Sequence, residues 1–457
     1  MTQTIAAIST AFGRGGIAVI RISGDEAIKI AGKIFKPMNG KKIEEIEPGM
    51  AIYGEITKGG ICIDTGICTI FKSPRSYTGE DVAEISCHGG IILTEKVLEA
   101  AFEAGAIQAG PGEFTKRAFI NGKLSLSQAE AVGMLIDAES DEQLSLAASH
   151  GNGAMKRKSD ELYESLKTVV TGVFANIDFP DEDLAELSDK EVLAELKTIE
   201  AELASLKGTY KVGKAVLEGI GTVIVGKPNT GKSSLLNRLV GRERAIVTDI
   251  AGTTRDTIEE SVVCGRVMLR LVDTAGIRVS SDAVEKIGVE RSLAELNKAE
   301  LVLAVFDLSR ELDGEDMLIL DRLKSLNAVK ICVLNKSDLE AKLDRGALDG
   351  IFAHTIEISA SNGDGIEALK STINSLYIDG EIDYNSRAVI TNARQNASVS
   401  RALEYVRSAI TELENGVSAD TAGFDIEAAL SELSELDGRR ITEEIVDGIF
   451  HRFCVGK

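Results

Sequence analysis

The chain has 457 residues, 44% of them hydrophobic and 27% charged, an ordinary balance for a protein that buries cores, with room for about two to four domains. Its formal net charge of −21 argues against general polyanion binding, which works through Lys and Arg that displace counterions. Trp is absent and aromatic residues make up 4%, so platforms for stacked bases are few.

The N-terminal stretch "MTQTIAAISTAFGRGG" has no basic region before its short apolar segment, and no apolar run approaches ~18 residues, so neither a secretory signal nor a membrane span is expected. The cysteines at 62, 68, 87, 264, 332 and 454 show no CxxC pair and no metal-ligand spacing. They read as reduced thiols of a cytoplasmic protein.

Residues 1–120 hold short apolar runs between turn residues, "GIAVIRIS", "GICIDTGICTIF" and "DVAEISCHGG", which predict strands. One helix is predicted over 94–106, and the block reads as α+β. Over 121–215 apolar residues recur at three- and four-residue spacing, in "SLSQAEAVGMLIDAES" and "EVLAELKTIEAELASLKG", which predicts amphipathic helices. "DFPDED" (178–183) interrupts them. Residues 216–378 alternate apolar strands with helices, the α/β pattern. Helical periodicity returns over 379–457, in "SRALEYVRSAITELENG" and "DIEAALSELSELDG". The expected fold class is therefore multidomain: an α+β domain, then an α/β domain inserted into an all-α domain. Insertion is tolerated because domain termini often lie close together at a surface.

"GTVIVGKPNTGKSSLLNRLVG" (221–241) places Gly226-x-x-x-x-Gly231-Lys232-Ser233 between a predicted strand and a predicted helix, as a P-loop requires. Its backbone N–H groups and the helix N-terminus face phosphate. Asn229, Thr230, Gly231, Lys232, Ser233 and Ser234 are the contacting residues expected, with Lys232 on the β/γ-phosphates and the Ser233 hydroxyl on Mg²⁺. "DIAGTTRD" follows with Thr253 and Thr254, either of which can reach Mg²⁺ or the γ-phosphate. After a predicted hairpin, "LRLVDTAG" offers Asp273 to Mg²⁺ through water and the Gly276 N–H to the γ-phosphate. "VKICVLNKSD" then brings Asn335, Lys336 and Asp338, and "IEISAS" brings Ser359 and Ala360.

The base follows from donor–acceptor matching. The Asp338 carboxylate can accept from the ring N–H and amino group of guanine, whereas adenine presents an acceptor and a C–H there. A backbone N–H at Ser359 or Ala360 can serve guanine O6. These motifs, in this order, predict GTP. Where many small GTPases carry a water-orienting Gln, Ile277 stands instead, so another group must act, with Arg278 and Glu285 as candidates. The Asn229 side-chain oxygen can coordinate a monovalent cation between phosphates, supplying the charge that an arginine finger provides elsewhere.

The stretches "GRGGIAVIRISG", "SYTGEDVAEISCHGG", "PGEFTKRAFINGKLSLSQAEA", "VTDIAGTTRD", "DTAGIR", "VEKIGVERS", "ITNARQ" and the terminal "FCVGK" resemble the MnmE/TrmE family of tRNA-modification GTPases over essentially the whole chain. The resemblance implies an N-terminal domain that binds tetrahydrofolate and dimerises, a split helical domain and an inserted G domain, with homodimer pairing through the N-terminal and G domains. It implies a K⁺-activated GTPase with Asn229, Thr248, Ile250 and Thr253 around K⁺, Ser233 and Thr254 on Mg²⁺, and Glu285 orienting water. It also implies a 5-formyl- or methylene-tetrahydrofolate contacted by Arg21, Glu84, Lys123 and Lys457. From residue chemistry alone, a structural Arg21–Glu84 pair is the other reading. The implied partners are tRNA and the FAD-containing MnmG (GidA) protein, with which C5 of wobble uridine (U34) acquires a carboxymethylaminomethyl or aminomethyl group. A regulatory GTPase switch in ribosome assembly is the alternative.

In the tail "HRFCVGK" (451–457), Cys454 stands where a prenylation box would have its cysteine, but Gly456 and Lys457 fit that box poorly. The resemblance makes Cys454 a candidate reactive group.

Overall fold

The computed structural model describes residues 3–178, 188–240, 259–272, 296–378, 387–440, 442–451 and 453–457. Contacts divide the chain into two units. The first comprises Met1–Ile136, His150–Glu200 and Arg401–Lys457, and the second Asp137–Ser149 and Ala201–Ser400.

The short apolar runs of the first unit alternate with period two, and its strands pair by that alternation. β1 (Ile5–Ile8), β2 (Ile17–Ser23), β3 (Phe35–Pro37), β4 (Ala51–Lys58), β5 (Ile61–Phe71), β6 (Val82–His88) and β7 (Ile107–Gln108) form one sheet, in the order β3-β4-β5-β6-β2-β1-β7. Ala18, Ile20 and Ile22 of β2 and Ala83, Ile85 and Cys87 of β6 are buried. They pack under α1 (Ala27–Ile34) and α2 (Ile91–Glu103), against Ile30, Val97 and Ala101. Arg21 and Glu84 therefore share the opposite face, and they are direct partners across the antiparallel β2–β6 pair. The helix expected over 94–106 starts three residues earlier than its apolar spacing indicates. Gly90, in extended conformation, is its N-cap, and Ile91 already belongs to the first turn.

The helical periodicity of the middle of the chain yields α3 (Glu113–Ile120), α4 (Leu126–Asp137), α5 (Asp141–Gly151), α6 (Ala154–Asp178), α7 (Asp189–Gly208) and α8 (Tyr210–Leu217). Within the second unit, β8 (Ile220–Val225), β9 (Glu259–Cys264), β10 (Val267–Val272), β11 (Leu301–Asp307), β12 (Val329–Asn335) and β13 (His354–Ile358) form a sheet of order β13-β12-β11-β8-β10-β9. Only the β9–β10 pair is antiparallel, which matches the predicted hairpin. Every residue of β11 is buried, as a central parallel strand covered on both faces requires. α9 (Lys232–Val240), α10 (Gly314–Lys324) and α11 (Ile366–Tyr377) accompany this sheet. Strands β8, β11, β12 and β13 run parallel and end at one edge, where loops of an open α/β sheet build sites.

α12 (Ala393–Glu414), α13 (Ala419–Asp437) and α14 (Glu443–Phe450) complete the chain. α13 packs on α6, where Gly423 lets the helices approach: a Cβ there would stand 2.9 Å from the Phe174 ring. The Phe174 and Phe424 rings meet edge-on at 6.3 Å. Among the described residues no helix is long and apolar enough to cross a membrane.

Candidate functional site

The loop between β8 and α9 carries Gly226 through Ser233. Asn229 adopts φ 64 and Gly231 φ 96. A Cβ on Gly231 would lie 2.0 Å from Asn335 Nδ2, so the close approach of β12 to this loop requires glycine. Asn335 is 3% exposed and bridges two loops: its Nδ2 donates to Thr230 O at 2.8 Å, and its Oδ1 accepts from Ala360 N at 3.0 Å. Around it lies a cavity of about 430 Å³ lined by Asn229, Gly231–Ser234, Asn335, Lys336, Asp338, Ala360 and Ser361. The structure thus brings together predicted residues that are 131 positions apart along the chain (229 to 360), with Ser361 beside them.

Lys232 Nζ donates to Gly226 O and Lys227 O at 2.7 and 2.6 Å. Burial holds its pKa below the ordinary lysine value, and phosphate oxygens are stronger acceptors for it than neutral carbonyls. Ser233 lies in the first turn of α9 and lines the same cavity. At the other end, Asp338 Oδ1 accepts from Ser359 Oγ at 2.6 Å. The two N–H groups expected for a base carbonyl already have acceptors. Ser359 N donates to Asp364 O at 3.0 Å and Ala360 N to Asn335 Oδ1, so a base oxygen taking either must share that proton or displace its acceptor. Thr248, Ile250, Thr253, Thr254, Asp273, Gly276, Arg278 and Glu285 lie outside the described residues.

Three supports of this cavity escape sequence reading. Arg238 of α9 donates through Nε to Ala360 O at 2.9 Å, and its guanidinium also reaches Ser361 O. Lys227 pairs with Asp313 and, at 3.3 Å, with Glu315, while Asp313 caps α10 by accepting from Glu315 N and Asp316 N. Asp307 pairs with Lys336 at 2.6 Å. Each support joins segments far apart in sequence, and strand order alone brings them together. The only signal along the chain for Asp307 is a charge closing a wholly apolar run, "LVLAVFD".

In the first unit Arg21 Nε meets Glu84 Oε1 at 2.8 Å. The guanidinium also lies over the Tyr77 ring at 5.1 Å and the Phe114 ring at 5.6 Å. Phe114 N donates to Lys457 O at 3.1 Å, so the residue whose ring faces Arg21 also holds the chain's last residue. Gly112 N donates to Cys454 O, Pro111 bridges to Val455, and Ser9 Oγ donates to Gly456 O at 3.0 Å. The tail is thereby seated on β1 and the loop before α3. Lys123 Nζ donates to Pro74 O at 3.0 Å.

All six cysteines are free. Burial pushes the Cys68, Cys264 and Cys332 thiols up to about 12 and Cys87 to about 11. Cys62 and Cys454 are exposed.

Comparison with known proteins covers this whole arrangement. The family description "GTP-binding protein TrmE N-terminus" matches residues 4–123, and "MnmE helical domain" matches 126–454. The tRNA modification GTPase MnmE of Clostridioides difficile (strain 630) is 43% identical over 457 residues, 100% of this chain and 99% of that protein. The protein of the same name from Thermoanaerobacter pseudethanolicus is 43% identical over 462 residues, with the same coverage. Among solved structures, a variant of Aquifex aeolicus Era bound to GDP and aluminium fluoride is 27% identical, covering 40% of this chain and 65% of that one, with a TM-score of 0.28. With the seated tail, the P-loop sheet and the N-terminal sheet all inside these full-length matches, the chain belongs to the MnmE/TrmE family.

Proposed function

We propose that this protein is a tRNA modification GTPase. The observation that carries the reading is identity of 43% along its whole length with proteins of that name, joined to a P-loop cavity whose far end presents a carboxylate at Asp338. The domain plan that fits is an N-terminal domain over 1–120, helical segments over 121–215 and 379–457, and a G domain over 216–378.

In this reading Lys232 exchanges its carbonyl acceptors for the β/γ-phosphates, Asp338 accepts from the guanine edge, and Arg238 keeps the 360–361 backbone beside it. Ser233, with Thr254, is the oxygen set suited to Mg²⁺, which neutralises charge developing on the phosphates. Asn229, with Thr248, Ile250 and Thr253, would hold K⁺, which supplies the positive charge of an arginine finger, and Glu285 would orient the attacking water.

The Arg21–Glu84 pair, stacked on Tyr77 and Phe114, fits a folate. The carboxylate accepts from pterin N–H groups, while Arg21, Lys123 and Lys457 complement the ligand's anionic tail. A folate held there would supply a one-carbon unit for C5 of U34, with MnmG as the FAD-containing partner and Cys454 as the candidate reactive thiol in the seated tail. Pairing of two copies through the N-terminal and G domains belongs to the same reading.

Mass spectrometry of wobble nucleosides in tRNA from cells lacking this gene tests it. The expected result is loss of the C5 substituent, restored by the gene and not by a Lys232→Ala variant. An unaltered profile with GTP hydrolysis intact would instead favour a regulatory switch.

A further inference from the structure

We propose that Asp307 is a positioning residue for base recognition, holding Lys336 against one wall of the cavity and away from the carboxylate that reads the base. This rests on the guanine-nucleotide reading of that cavity.

Asp307 ends β11 and is the Cα partner of Asn335 in the parallel β11–β12 ladder. It is 7% exposed and is not among the cavity-lining residues, whereas Lys336 is. A buried carboxylate needs several donors to stay ionised, and this one has three: Lys336 Nζ at 2.6 Å on Oδ2, with Ser309 N at 3.0 Å and Ser309 Oγ at 2.6 Å on Oδ1. Burial alone would push its pKa up, but these bonds outweigh that effect and hold it below the ordinary value. The carboxylate is therefore a fixed negative charge, set in place before any ligand arrives.

Lys336 has φ 67, a conformation that disfavours a side chain with a Cβ, so its direction needs external support. With the ammonium anchored at the end of β11, the four-carbon stem runs along the cavity wall as an apolar strip suited to a purine face. Asp338, two residues on, lines the same cavity. A lysine released from Asp307 has that carboxylate as an alternative partner, and pairing with it would remove the acceptor that distinguishes guanine. The pair Asp307–Lys336 thus does two things: it builds the wall, and it keeps Asp338 open.

The test measures dissociation constants of the full-length protein for GDP, IDP (which lacks the 2-amino group) and tripolyphosphate (which has no base). Asp307→Asn is expected to weaken GDP about tenfold, as loss of a charge-assisted contact does. IDP should weaken less, so the GDP/IDP preference shrinks, while tripolyphosphate is unchanged. In a Lys336→Met background the same substitution should add nothing, because contacts acting through one partner are non-additive. GDP binding within about twofold of the parent, equal weakening of all three ligands, or full additivity with Lys336→Met would each overturn the proposal. If Asp307→Asn does not fold, Ser309→Ala serves: it removes one donor to Asp307, and its GDP/IDP preference should fall about threefold. An unmoved preference there overturns the proposal equally. A parent protein that binds ADP as well as GDP would sink the guanine reading itself, and the proposal with it.

Discussion

At the P-loop cavity the holding groups are charged side chains at strand and helix ends: Asp307 under Lys336, Arg238 under 360–361, and Asp313 beside Lys227. At the C-terminal tail the holding groups are two backbone amides and one hydroxyl, with Gly112 N, Phe114 N and Ser9 Oγ reaching the main-chain oxygens of Cys454, Lys457 and Gly456. Charged supports tune chemistry and can be exchanged one at a time. A seat made mostly of main-chain groups is indifferent to most side chains and sensitive to backbone conformation. The two sites should therefore break in different ways.

The sharpest break is expected at Asp338. Asp338→Asn turns an acceptor pair into one acceptor and one donor, so affinity for GTP should fall by roughly 100-fold or more and XTP should gain, as when a site built for hydrogen bonding meets the wrong partner. Competition binding measures this, and unchanged GTP preference would remove Asp338 from base recognition. The tail seat should ignore that substitution.

The corresponding break in the tail is Gly456→Ala. Gly456 has φ 99, and a Cβ there would stand 2.0 Å from Ile8 O. The conformation alone costs about 1–2 kcal/mol for a residue with a side chain, and the clash is with backbone that cannot rotate away. The tail should leave its seat, exposing the Gly112 and Phe114 amides to hydrogen exchange, while GTP hydrolysis persists. Retained protection of both amides would contradict the seat as described.

Acid gives the smallest and most selective effect. The hydrogen bond from Lys227 lowers the Asp313 carboxyl from the ordinary 3.8 to about 2. Since the folded value is the lower one, the stabilising contribution is complete above the ordinary value and disappears as pH falls through about 2. A carboxyl-carbon NMR titration of Asp313 should place its midpoint near 2; a midpoint at 3.8 would mean Lys227 is not its partner. The bonds to the carbonyls of Cys454 and Gly456 in the tail have no titration in that range.

Much of this was legible along the chain because the chemistry is local. The P-loop spacing, the β9–β10 hairpin and the short apolar strands of the N-terminal sheet are all written within short windows. Asp307, Arg238 and Asp313 were not legible, because each acts on a residue at least 29 positions away, the separation of Asp307 from Lys336, and only the parallel register of the sheet joins them. The tail shows a different gap. Lys457 reads from sequence as a cationic side chain, yet the contact that ties it to Phe114 uses its main-chain oxygen, which no motif records. Likewise Ser359 and Ala360 offer N–H groups on paper, and only the fold shows those protons already engaged.

The distribution of thiols gives the molecule a reporter of its own. With Cys68, Cys87, Cys264 and Cys332 buried and held protonated far above neutrality, an alkylating dye near neutral pH meets only Cys62 and Cys454. Replacing Cys62 with Ser leaves a single accessible thiol at the seated tail. Its emission then follows any ligand or protein that arrives at that end of the molecule, without any added cysteine.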